Sequence, residues 1–171
     1  AQELGYAERN PEADVEGYDA CRKIAILSSL AFGRQVNFED VYTEGITKIS
    51  ALDICYAKKL GMTIKLLASS KKTAGGIFAM VAPVLVGAED PLYSVNGVFN
   101  AIFIHGNMLG DAMFYGSGAG KLPTASAVTA DIVDEAKHLG ESIMPSWSSE
   151  KLELTDIGNS PKRFFVRAKG S

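Results

Sequence analysis

Long apolar runs are missing from this 171-residue chain; MVAPVLV and VFNAIFI fall far below the roughly 18 residues of a membrane span, so no transmembrane segment is expected. Cysteine is scarce. Cys21 and Cys55 are the only two, with neither CxxC nor metal-ligand spacing, which excludes a disulfide scaffold and a zinc module. They read as buried, reduced thiols in a cytoplasmic protein, and no metal site is expected. No sign of charge dominates: the net charge is −3 and the lysines and arginines are scattered, so nucleic acid is not an expected partner. The opening stretch AQELGYAERNPEADVEG is acidic and polar, unlike a secretory leader. Internal repeats and low-complexity tracts are also lacking. What remains is ordinary in composition, 47% apolar and 22% charged, and of a length that closes one core.

Helices come first along the chain. Residues 14–31 put Tyr18, Cys21, Ala25, Ser28 and Ala31 on one stripe, which predicts a helix with Asp14 as cap and Gly33 beyond its end. Residues 41–60 predict two short helices, the second opened by a Ser50–Asp53 capping box and stopped by Gly61. The pattern then changes. Residues 63–69, 76–87 and 97–106 are β-branched and aromatic between Gly, Pro or Asn, and predict strands. His105-Gly106-Asn107 predicts a turn, with LGDAMFYG returning as a hairpin arm. A last helix is expected from about Pro123, with Ala125, Val128, Ile132, Ala136 and Leu139 on one face. SWSSEK begins a polar connector, and the closing RFFVRAKGS suggests a further strand. This order argues for an α+β fold, a mostly antiparallel or mixed β-sheet with helices covering one face.

GSGAGKLPT (116–124) resembles a phosphate loop, and its spacing refutes two forms of that idea. A Walker loop ending at Gly120-Lys121 needs glycine at Tyr115 and a hydroxyl at Leu122. A Rossmann loop needs G-x-G-x-x-G after the first strand of a βαβ unit, whereas this stretch is G-x-G-x-G after a hairpin. Two readings stay open: a strand-to-helix turn whose N–H groups meet a polar ligand, and glycines that only permit positive φ and close packing.

The first 23 residues carry more chemistry, with Tyr6, Glu8, Asp14, Asp19 and Lys23 gathered around the turn RNPEAD. Asp19 and Lys23, four apart, share a helix face. The plain reading is a surface ion pair worth a few tenths of a kcal/mol. The functional reading is an acid orienting a lysine that exchanges a proton, which partial burial beside IAILSSLA would favour. Glu8 and Asp14 would add an acidic pocket for an ammonium group.

Taken together, AQELGYAERNPEADVEGYDACRK resembles the signature of homoserine dehydrogenases, through Ala1, Gly5, Pro11, Asp14, Gly17, Asp19 and Lys23. YGSGAGKLPTASAV is similar to a second segment of that family; EGI (44–46), IKLLA (64–68) and PLYSVNGVFNAI (91–102) follow in its order. Arg9-Asn10 departs from the proline and acid often found after the glutamate, and Cys21 from a small alanine.

The resemblance implies NAD(P)-dependent interconversion of L-homoserine and L-aspartate 4-semialdehyde, in threonine, methionine and isoleucine biosynthesis. It gives Lys23 proton transfer at the substrate hydroxyl, with Asp19 as its partner and a substrate contact. Glu8 would bind homoserine, with Asp14 and Tyr6 contributing to that pocket, and Gly5 and Gly120 would lie near the cofactor. It also implies that NAD(P) is held mainly by a domain absent from this chain, and that the protein is a homodimer through the sheet. On this view residues 1–145 are a substrate-binding domain incomplete at its N-terminus. Residues 146–171 are a connector toward a C-terminal regulatory domain, with RFFVRAKG a candidate first strand of one. The competing view is a non-catalytic dimerisation or ligand-sensing module that kept the fold.

Overall fold

The computed structural model describes residues 11–141, 147–159 and 162–168. A four-residue helix α1 (Glu12–Val15) meets α2 (Tyr18–Phe32) at Gly17, which is buried and has a φ of +78°. That left-handed residue breaks the helix, so Asp14 ends up inside α1 and caps nothing, contrary to expectation. Gly33, with φ +71°, ends α2 as expected, its N–H donating to the Ser29 carbonyl. The buried stripe of α2 is rotated from the expected one: Cys21, Ile24, Ala25, Ser28 and Ser29 face inward, while Tyr18 and Ala31 are exposed.

Strand β2 (Tyr42–Thr43) replaces the first of the two expected short helices and pairs in parallel with Met80–Val81. Helix α3 (Ala51–Lys59) follows, its capping box complete. The Ser50 N–H donates to Asp53 at 2.9 Å, and Ser50 Oγ accepts from the Asp53 N–H. Hydrogen bonds from Ser50, and then the Arg167 guanidinium 3.1 Å away, hold the Asp53 carboxyl below its ordinary value of 3.8. A depressed carboxyl contributes stability that is full above its ordinary value and lost as pH falls through the folded one. Ser50→Ala should therefore destabilise the protein near neutral pH, and the difference from wild type should shrink in urea melts taken below pH 3.8.

β3 (Met62–Thr73) and β4 (Gly76–Gly87) form a hairpin of two twelve-residue strands, and the mixed sheet runs β2-β4-β3. Pro83 is tolerated because β2 pairs only with Met80 and Val81, leaving β4 a neighbour on one side there. Alternate residues Ala79 and Val81 of β4 meet Cys21, Ile24 and Ala25 of α2, together with Val36, Val41 and Leu152, to make the core. The second hairpin, β5 (Phe99–Gly106) with β6 (Gly110–Ser117), forms a separate two-stranded sheet. Its turn is Asn107–Leu109, slightly later than expected. Helix α4 (Lys121–Lys137) follows with no buried residue.

The expected polar connector is part of the fold. Strand β7 (Ser148–Lys151) pairs in parallel with β1 (Arg34–Gln35), and Leu152 enters the core. Trp147 Nε1 donates to the Gln35 side chain at 2.6 Å, and Arg34 pairs with Glu150 at 2.8 Å. Residues 162–168 form no strand. They lie along α3, where Arg167 meets Asp53 and Phe165 meets Tyr56, and the Lys162 ammonium stands 4.1 Å over the Phe78 ring. Cys21 is buried as expected, its thiol donating to the Phe38 carbonyl, but Cys55 is exposed on α3.

Candidate active site

The α1–α2 corner gathers the chemistry. Asp14 lies exposed on α1, while Asp19 and Lys23 lie one turn apart on α2 with Lys23 Nζ 2.7 Å from Asp19 Oδ2. Tyr6, Glu8 and Gly5 fall outside the described residues. The structure therefore joins Asp19 to Lys23 as expected and puts Asp14 on the adjoining helix.

The expected partial burial of Lys23 is not found among the described residues: its side chain is 70% exposed and that of Asp19 48%. The reason is the rotation of α2, which turns Cys21 and Ile24 inward and Arg22 and Lys23 outward. Beyond Lys23, however, the outward face turns apolar. One and two turns beyond Lys23 it carries Ile26, Leu27 and Leu30, all exposed. A helix apolar on both faces is characteristic of one enclosed from both sides.

The corner is seated on the sheet by close backbone approach. A Cβ at Gly17 would lie 3.0 Å from Val81 Cγ1 in the core. Beside it, the Tyr42 hydroxyl donates to Glu44 Oε2 at 2.9 Å; that hydrogen bond, then burial, then the carboxylate's charge raise the phenol's pKa. Sequence reasoning did not single out the role of Gly45 in this seat, nor that of Lys65. The Lys65 amine donates to the Val95 carbonyl and to Asn96 Oδ1, tying β3 to the segment that enters β5. The only available signal was that both lie in stretches shared with the family, EGI and IKLLA.

The glycine-rich turn has a mixed explanation. Gly120 takes φ +121° at the start of α4, and no side chain caps the helix. A Cβ at Gly118 would run into the Asn100 side chain, whereas Gly116 faces open space. Close approach and positive φ thus account for two of the glycines. The uncapped first turn, in which Pro123 has no N–H, presents the remaining N–H groups at the positive end of the helix. That donor set suits an anionic or polar group. A concavity lined by Val128, Asp131, Ile132, Glu135, Ala136 and Leu139 lies along α4 alone and contains no candidate site residue. Among the described residues no cluster of His, Cys, Asp or Glu could hold a metal ion. No described helix is long and apolar enough to cross a membrane.

A family model described as homoserine dehydrogenase matches residues 1–133. The chain is 53% identical over 138 residues to the homoserine dehydrogenase of Synechocystis, covering 78% of this chain and 32% of that protein. Among solved structures it is similar to a homoserine dehydrogenase from Thiobacillus denitrificans, with a TM-score of 0.78 and 39% identity over 89% of this chain and 38% of that one. It is also similar to a hyperthermophilic archaeal homoserine dehydrogenase mutant in complex with NADPH, with a TM-score of 0.63 and 31% identity over 84% of this chain and 40% of that one. The chain thus spans about a third of the length of the relatives it matches.

Proposed function

The chain belongs to the homoserine dehydrogenase family, and from that premise we propose that it is the substrate-binding part of an NAD(P)-dependent enzyme interconverting L-homoserine and L-aspartate 4-semialdehyde. The observation that carries the reading is the Asp19–Lys23 contact at 2.7 Å on a helix whose outward face continues in apolar residues. In the oxidation direction Lys23 takes the proton from the substrate hydroxyl, and Asp19 holds the amine in place. A bound NAD(P) would supply the hydride acceptor. Asp14 and Glu8, with Tyr6, provide a pocket whose negative charge suits the substrate ammonium. Gly5 and Gly120 border the cofactor, which is held mainly by parts of the whole protein outside this chain.

This substrate-binding unit extends past residue 145, since β7 pairs with β1 and Leu152 enters the core. The protein is cytoplasmic and serves the biosynthesis of threonine, methionine and isoleucine from aspartate. The β5–β6 hairpin supports a homodimer through the sheet, since both of its faces expose large apolar side chains.

The test is spectrophotometric. The whole protein should form NADH or NADPH from L-homoserine, and the 171-residue chain by itself should form none. Lack of turnover by the whole protein with either nucleotide would sink the reading.

A further inference from the structure

Glu44-Gly45-Ile46, between β2 and α3, ties the corner to the sheet. The Glu44 N–H donates to the Val81 carbonyl of β4 at 2.8 Å, and the Ile46 N–H donates to the Val15 carbonyl of α1 at 2.8 Å. Gly45 is buried between these bonds. A Cβ there would stand 2.4 Å from the Val15 carbonyl oxygen and 2.5 Å from Glu16 Cα. Both are backbone atoms, so neither can rotate aside, and the gap would have to open by about 1 Å to reach ordinary contact. The φ of Gly45 is not positive, so the position demands space and not an unusual conformation.

We propose that Gly45 is a positioning residue of the site: its missing side chain lets residues 44–46 clip α1 to β4, and so fixes the helix that carries Asp14 relative to α2, which carries Asp19 and Lys23. Gly17 is the pivot between the two helices, and it rests on Val81, the same residue whose carbonyl anchors Glu44. The corner is therefore clamped from both sides at one point of β4. A methyl group at 45 lifts α1 while α2 stays packed on the core through Cys21, Ile24 and Ala25. The acid on α1 then moves relative to the amine on α2, which disturbs the grip on substrate more than the proton transfer at Lys23.

This inference rests on the reading of the corner as the homoserine site. In the whole protein, Gly45→Ala should raise the KM for L-homoserine by about tenfold or more and leave the nicotinamide KM within about twofold, since displacements near 1 Å carry effects of that order. The Ile46 amide should also lose protection from hydrogen exchange. General destabilisation reduces the amount of active enzyme without moving either KM. Val86→Ala, which opens a cavity near the end of β4, is the control that should show that pattern. Should Gly45→Ala fail to fold, Ile46→Pro deletes the donor to Val15 and carries the same expectation. A folded variant with an unchanged homoserine KM overturns the proposal. Wild-type protein that oxidises no homoserine would instead overturn the functional reading, and Ile46 exchange would still decide whether Gly45 holds the corner.

Discussion

Replacing Lys23 with alanine in the whole protein should lower homoserine oxidation by ~10²- to 10⁴-fold, the range expected for removal of a positioned general acid–base group. The fold should not notice. Lys23 points outward from α2, and its exposed ion pair with Asp19 is worth at most about 1 kcal/mol, so the melting temperature should fall by no more than about 4 °C and the oligomeric state should not change. The kinetic loss should fall on kcat, because the proton moves in the reaction and contributes little to holding the substrate. Asp19→Asn should show a smaller loss, since it weakens the orientation of the amine and leaves the amine itself in place. A dimerisation or sensing module with no catalysis of its own predicts no change in rate for either variant. Full activity in Lys23→Ala would remove the lysine from the mechanism.

Local features were legible in the sequence, and the reason is that their partners lie within a few residues. The Ser50–Asp53 box is a three-residue motif, and Gly33 terminates α2 through a bond to Ser29. The apolar parts of β3 and β4, 63–69 and 76–87, announce themselves by composition, while the polar 70–73 that carry β3 on to a two-residue turn do not. The contacts that were missed are distant. Leu152 reaches the core by pairing beside Gln35, and β7, wholly exposed and spelled SSEK, offers no alternation to read. Gly45 matters because of the backbone of Val15 and Glu16, which no periodicity within its own segment could reveal.

The same contrast applies to the site. The four-residue spacing of Asp19 and Lys23 sufficed to join them, because helical geometry is local. Their exposure was misjudged, because it depends on which side of α2 the sheet takes. IAILSSLA supplies apolar residues to both sides, and the sheet took Ile24, Ala25, Ser28 and Ser29. Ile26, Leu27 and Leu30 stay exposed on the other side, and on the reading proposed above the rest of the whole enzyme encloses them together with Lys23.

Charge placed on the β5–β6 hairpin should break the homodimer proposed above. Ile102 and Phe114 are directly paired, hence on one face, and are 46% and 65% exposed. Ile104 extends the same patch. The opposite face is partly covered by its own aromatic stack, Phe99 on Tyr115 at 4.9 Å, so the Ile102 face has more to gain from a partner. A two-stranded sheet of this kind is marginal alone, and a second copy would supply what it lacks. In a symmetric dimer four such side chains, each with about half its burial still to gain, contribute ~1 kcal/mol apiece, or ~4 kcal/mol together. Ile102→Lys with Phe114→Lys should therefore weaken association by ~10³-fold or more, before any repulsion between the added charges. Sedimentation at micromolar concentration should show the whole protein as a dimer and the double variant as a monomer with unchanged far-UV circular dichroism. The core around Val81 does not include the hairpin, so the variant should keep its fold. A variant that stays dimeric would place the interface elsewhere on the molecule.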